Sequence, residues 1–468
     1  MGRRYYCPHN ASDLEHRLLE KDPEAILISP QLDKNKLRSR GQDPKDYWGS
    51  ISNVLAQHQL NQHIQGILIV HYFRENTLLL DSWENRLFGT IGHLNNLQTV
   101  IIEETEIPMD CLISILNTSN RIRCLHLRYT TIFYKNEEEY QSLIDAIERR
   151  QTVLTHVTIE DCKWQPMPEG HSSTSHIDNA MSSQVLHSIS QIPALQNVDC
   201  SLLKKESSVE QIARNVGNQL QPGTLQRLGQ APALTTLRLF DIWLSEDDVV
   251  CLCRALLQRS SKRNAASPLR QLRIECDLGS VAATSLSTLL TDSQCVLERL
   301  ALHVLHMEDP DSPIILAQAL AQQPRKQGLK SFSLAGHPVR DLSIRSKVAF
   351  AEMVRTNASL EYVYLGCQDY ALRKQLGFYL ELNQHGRREL FASISVSEQA
   401  DTPLWTSVLC RNQGNMRALH YFVSLNPGYF ATAALTALDR WEKEQEPPEV
   451  RQQRLELEAG IIYDTDGW

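Results

Sequence analysis

The stretch Leu234–Leu257 reads LTTLRLFDIWLSEDDVVCLCRALL, and its apolar residues change step partway. They recur first at intervals of three and two, at Leu234, Leu237 and Leu239. After a polar Ser-Glu-Asp-Asp run they return at helical intervals, at Val249, Leu252 and Leu256. Such a switch predicts a short strand, a turn and an amphipathic helix. The same i, i+3, i+5 pattern starts at ten places: Ile64, Leu97, Ile122, Leu154, Leu195, Leu234, Leu269, Leu297, Leu329 and Leu360. Successive starts lie 25 to 41 residues apart, so the chain carries an internal repeat. Helix-like segments follow the starts. EEEYQSLIDAIERR sets Tyr140, Leu143, Ile144 and Ile147 on one face, and Ser245 stands where it caps a helix whose first turn holds Asp247 and Asp248.

One strand and one helix cannot bury their apolar faces alone, so the units are expected to stack into a parallel sheet backed by helices. Motif positions one, four and six then point inward, while positions three, five and seven face out. Stacked strands lie about 4.8 Å apart whereas packed helices need roughly 8–10 Å, so the helices take the longer arc. The expected fold is α/β: a horseshoe solenoid of about ten units, with a parallel concave sheet and outer helices.

The L-x-x-L-x-L series resembles the leucine-rich repeat family in its long, helix-containing, ribonuclease-inhibitor-like form, over residues 64–384. The family often places Asn or Cys at the ninth motif position to satisfy backbone groups at the turn. Cys162 matches that, whereas Thr105, Thr130, Leu203, Ile242, Asp277, Leu305, His337 and Gln368 hold eight of the other ninth positions. Residues 1–63, with SDLEHRLLE and WGSISNVLAQ around a strand-like EAILIS, read as an N-terminal cap, since a solenoid's first strand is an unpaired edge. Residues 385–440 read as a C-terminal helical cap with Leu404, Val408, Leu419 and Phe422 as its buried contacts, and residues 441–468 as a charged tail. The turn LNQHGR followed by the PLW helix is similar to C-terminal regions of repeat proteins abundant in unicellular algae. Two units are overlong, with a Ser-rich loop running to a short helix between Trp164 and Gln191 and a second short helix expected in KKESSVEQIARNVGNQLQPGTLQRLGQ.

Composition narrows the function classes. A net charge of −8 over 468 residues argues against a general nucleic-acid binder, which needs excess Lys and Arg. No run of 18 apolar residues and no signal-like N-terminus occurs, so no membrane is expected, and the location is read as the cytoplasm with the nucleus as the alternative. The eleven cysteines have no C-x-x-C pair; Cys251 and Cys253 lie about 200° apart on a helix and cannot share a metal. Cys124, His126 and His156 amount to three scattered candidate ligands, for which an ordinary polar surface is the preferred reading. No phosphate-binding loop, dinucleotide fingerprint, nucleophile elbow or H-E-x-x-H is present. No cofactor, metal or catalytic residue is therefore assigned.

The remaining class is a non-enzymatic, monomeric scaffold or adaptor that docks a protein or peptide on the concave face. The alternatives are a regulator of a small GTPase, or a ubiquitin-ligase substrate adaptor without a recognisable F-box. Outward positions of the later units supply the candidate site: Arg238 and Phe240, Arg273 and Glu275, Arg299 and His303, then Tyr362 and Tyr364. Between the last two pairs the outward positions are small, at Ser331, Ser333 and Ala335. Arg and aromatic residues are the composition of interface hot spots. Arg238 and Arg273 share a position on adjacent units, so an acidic partner, Glu275 or Glu298 is expected to offset their repulsion.

Overall fold

The computed structural model describes residues 6–8, 11–20, 25–28, 44–57, 62–70, 82–150, 152–166, 177–201, 220–263, 268–323, 328–394 and 402–425. Residues 167–176 of the Ser-rich loop, residues 204–219 of the segment expected to add a helix and the charged tail from 441 lie outside these residues, whereas Ile177–Ser190 and Thr224–Gln230 are helical. Contacts divide the chain into two units, Met1–Leu376 and Gly377–Trp468.

The described strands of the first unit are β1 (Ala25–Ile28), β2 (Gly66–Val70), β3 (Thr99–Glu103), β4 (Glu106–Pro108), β5 (Cys124–Arg128), β6 (Thr131–Tyr134) and β7 (His156–Glu160). They continue with β8 (Lys163–Pro166), β9 (Asn197–Ser201), β10 (Thr236–Leu244), β11 (Gln271–Asp277), β12 (Arg299–His306), β13 (Ser331–Ala335) and β14 (Tyr362–Leu365). Eleven of them form one sheet in the order β1-β2-β3-β5-β7-β9-β10-β11-β12-β13-β14, with every pair parallel. The ten motif starts each lead into one of these strands. The eleventh, β1, comes from the N-terminal region and is itself bridged by Tyr6. The unit is an α/β repeat solenoid with helices between successive strands.

The alternation of the motif is the alternation of burial. Positions one, four and six of the opening stretch, Leu234, Leu237 and Leu239, are fully buried, and so are their counterparts Ile122, Leu125 and Leu127. Each such side chain stabilises the stack by about 1.5–3 kcal/mol. The helices return the chain to the next strand and are started by their caps. Asn136 Oδ1 accepts the Glu139 amide at 2.9 Å, while Ser245 Oγ and the Asp248 carboxylate satisfy each other's amides at 3.3 and 3.0 Å. Units also cap one another: Glu246 Oε1 accepts the amides of Val281 and Ala282 at 2.9 and 2.8 Å. Gly279 leaves room for that carboxylate, since a Cβ there would lie 2.4 Å from the same oxygen.

Position eight is where several units turn. Glu104, Tyr129, Asp161 and Asp241 take left-handed backbone angles, with φ between 48° and 51°. Each costs about 1–2 kcal/mol for a residue with a Cβ. Cross-strand bonds hold the turns: Glu104 donates its amide to Arg128 O at 3.0 Å, and Tyr129 to Glu160 O at 2.8 Å. Beyond the turns, β4, β6 and β8 pair in parallel as a second, three-stranded sheet. Three of the ninth-position residues do the work expected of Asn or Cys. Thr105 Oγ1 donates to Glu103 O (2.7 Å), Thr130 Oγ1 is shared between Arg128 O (2.8 Å) and Ile102 O (3.1 Å), and Cys162 Sγ donates to Glu160 O (3.6 Å).

The second unit is built differently. Its buried centre is Leu382, Leu390, Trp405, Val408, Ala418 and Phe422. Leu404 and Leu419 are only half-buried, because Trp405 and Ala418 take the inward positions of their helices. The LNQHGR turn forms around Gly386 (φ 113°), where a Cβ would press 2.7 Å from a Val408 methyl. Arg387 is 1% exposed. Its Nη1 donates to Asn383 Oδ1 at 3.0 Å, and its guanidinium lies 5.3–5.7 Å from the ring centres of Tyr379, Phe391 and Tyr421. Among the described residues no helix is long and apolar enough to cross a membrane.

Candidate partner-binding face

Parallel pairing in register converts the outward motif positions into rows across the sheet. Position five runs Ile101, His126, Thr158, Asp199, Arg238, Arg273, Ala301, Ser333, Tyr364. Position three closes with Gln271, Arg299, Ser331 and Tyr362. Arg238 and Arg273 are partners in the ladder, as the motif alignment places them.

On β3–β10 the outward polar groups answer one another. Arg128 Nε lies 3.3 Å from Glu160 Oε2, and the Tyr129 hydroxyl donates to the same carboxylate at 3.1 Å. That bond and the adjacent charge raise the Tyr129 phenol above its ordinary range. His126 Nδ1 meets Thr158 Oγ1 at 2.8 Å. Burial pushes the His126 imidazole down to about 4, with Arg128 and His156 acting in the same direction, so it is neutral at pH 7. Arg238 spends both terminal nitrogens, Nη1 on Asp199 Oδ2 at 3.4 Å and Nη2 on Gln271 Oε1 at 3.0 Å. Burial raises the Asp199 carboxyl, against the pull of Arg238.

The offset expected from Glu275 or Glu298 is therefore supplied by Asp199, one strand to the other side of Arg238. Glu298 serves a different row. At motif position two its carboxylate takes Arg270 at 2.6 Å and Lys330 at 3.5 Å, and these cations outweigh burial to lower its pKa.

From β11 onward the face changes. Arg273 stacks on Phe240, its guanidinium carbon 4.0 Å from the ring centre. Arg299 is exposed, and neither arginine has a carboxylate partner among the described residues. Glu275 and His303 face each other in the ladder of β11 and β12. Tyr362 and Tyr364, 54% and 47% exposed, stand on β14. The eight candidate residues thus fall into two groups rather than one. Arg238, Phe240, Arg273, Glu275, Arg299 and His303 adjoin across β10–β12, while the tyrosines stand beyond the small residues of β13. The residue that motif reasoning missed is Asp199. Its signal was present as the fifth position of LQNVDC.

Other chemistry is sparse. A hollow of about 400 Å³ at the N-terminal ends of the strands is lined by Gln98, Arg123, Cys124, Thr155, His156 and Gln196 among others. No group of three or more His, Cys, Asp or Glu among the described residues could hold a metal. Burial raises the thiols of Cys162, Cys253 and Cys276 to about 12, far from nucleophilic thiolates.

No family model matches the chain, and no curated protein matches it. Among solved structures it is similar to a chain of the Rad7 and Elc1 complex in yeast, at 15% sequence identity and a TM-score of 0.36. That likeness covers 75% of this chain and 85% of the other. A likeness so distant assigns neither an activity nor a partner to this chain.

Proposed function

We propose that this chain is a non-enzymatic scaffold or adaptor of the leucine-rich repeat type, in its ribonuclease-inhibitor-like form, that docks a protein partner on the sheet face turned away from its helices. The observation that carries the reading is the outward row of β11–β14. There, guanidinium groups without a carboxylate partner and two half-exposed tyrosines share a rigid parallel sheet. Tyr loses little conformational freedom on binding, and Tyr and Arg are residue types in which interfaces concentrate binding energy. The ladder bonds beneath fix the side chains' spacing before any partner arrives.

Affinity capture tests the reading. The full chain and a variant with Arg273, Arg299, Tyr362 and Tyr364 all changed to alanine are compared for the proteins they retain from a native lysate. The variant is expected to lose the wild type's specific partners at an unchanged thermal midpoint. An identical captured set would remove this face as the docking surface. Acceleration of GTP hydrolysis across a panel of small GTPases would instead favour the regulator, and co-capture of ligase subunits the ubiquitin-ligase adaptor.

A further inference from the structure

We infer that β12–β14 form a trough for one extended, acidic peptide segment, which runs along β13 with its carboxylates on Arg273 and Arg299. The inference rests on the sheet face being the docking surface and specifies what that surface takes.

The shape follows from register. Arg299 and Tyr362 stand at position three on β12 and β14, with the strand β13 between them. Two strand spacings separate their backbones, about 10 Å, which is room for a single extended chain. The floor consists of Ala301 and Ser333, in one position-five row between Arg273 and Tyr364. Short side chains between long ones make a groove open along the strand direction. Tyr362 and Tyr364 form one wall; Arg299 stands opposite on β12, with Arg273 one strand farther out on β11.

Charge selects the occupant. Arg238 has its terminal nitrogens committed to Asp199 and Gln271, so it offers little to a ligand. Arg273 differs: its guanidinium carbon lies 4.0 Å from the Phe240 ring centre, a contact that consumes none of its N–H donors in a hydrogen bond to a carboxylate. Its rotamer freedom is already spent, so a carboxylate that docks in plane costs less ordering. Arg299 is the second cation, and the floor between carries no charge. A carboxylate-bearing strand meets both arginines while its alternate side chains lie against the tyrosine rings. Two arginines on a chain of net charge −8 are a poor match for a polyphosphate backbone, which rewards many cations.

Selection of random octapeptides displayed on phage against the full chain, followed by polarisation titration of labelled hits, tests the trough. Hits enriched in Asp and Glu are expected. Arg273→Ala and Arg299→Ala should each weaken binding about tenfold, the double variant by more, at an unchanged thermal midpoint. Ser333→Trp, which fills the floor, should abolish binding, while Thr236→Trp on β10 of the same face should change it by less than about twofold. Hits without acidic excess, no hits at all, or hits that bind the double variant as they bind wild type would overturn the trough. Loss with Thr236→Trp but not with Ser333→Trp would overturn the trough and keep the sheet-face reading. Insensitivity to both would overturn the two together. A labelled single-stranded oligonucleotide bound as tightly as the hits, and lost in the same variants, would replace the peptide as occupant.

Discussion

The two halves of the outward sheet face use the same kinds of residue to opposite ends. On β3–β10, Arg128 meets Glu160, His126 meets Thr158 and Arg238 meets Asp199, so polar groups are consumed inside the molecule. On β11–β14, Arg299 faces Ser331 and then Tyr362 in its row, and Arg273 is held by an aromatic ring instead of a carboxylate. A paired charge contributes to its own fold; an unpaired one on the sheet face contributes little to it. The difference separates the two halves without any motif, because it is read from what each side chain already touches.

That comparison can be broken by substitution. The largest effect is expected from acid. The His126 imidazole sits near 4 in the folded chain against about 6.5 when unfolded, so the unfolded chain binds the proton first. Stability is therefore full above pH 6.5 and falls as pH drops toward 4, by on the order of 2–3 kcal/mol. Thermal melts of wild type and His126→Gln between pH 7 and 4 should converge as that loss sets in; parallel curves would contradict the assignment. Next, Thr130→Val removes a fully buried hydroxyl that serves two carbonyls and should cost about 1–2 kcal/mol by denaturant unfolding, with Thr130→Ser costing less. Asp199→Ala strips the carboxylate from Arg238 and should cost about 1 kcal/mol. Arg299→Ala should be the smallest, within about 0.5 kcal/mol of wild type. A loss for Arg299→Ala as large as for Asp199→Ala would erase the distinction between the halves.

The repeat was legible because burying one side of a strand forces alternation, and alternation survives any choice among Leu, Ile, Val, Phe and Cys. Leu234, Leu237 and Leu239 announce the inner wall, and Ser245 announces the helix. The turns were less legible. Glu104, Tyr129 and Asp161 adopt an angle usually signalled by Gly, so little in their identity marks the second sheet that follows. Thr105 and Thr130 looked like departures from the Asn-or-Cys pattern, yet a hydroxyl reaches the same carbonyls. At the site, the face and register of Arg238 and Arg273 could be read, but not which neighbour each would choose. A long side chain reaches both adjacent strands, and its choice depends on burial and ring contacts that spacing does not encode. Arg387 was invisible for a related reason: a lone Arg in a polar turn reads as surface, and only the folded second unit gathers three rings around it.

The paired strands β4, β6 and β8 change how the solenoid comes apart. A stack in which each unit touches only its neighbours through one ladder unravels as a one-dimensional chain, unit by unit from whichever end frays. Where a second ladder joins the same three units, every boundary between them carries an added coupling energy. The amides of Thr131 and Lys163, bonded across to Thr105 O and Thr130 O at 2.8 Å, are expected to exchange with solvent only when both ladders at their boundary open. The repeats are alike in sequence, but those units are expected to open as a block, with loss of structure beginning outside it.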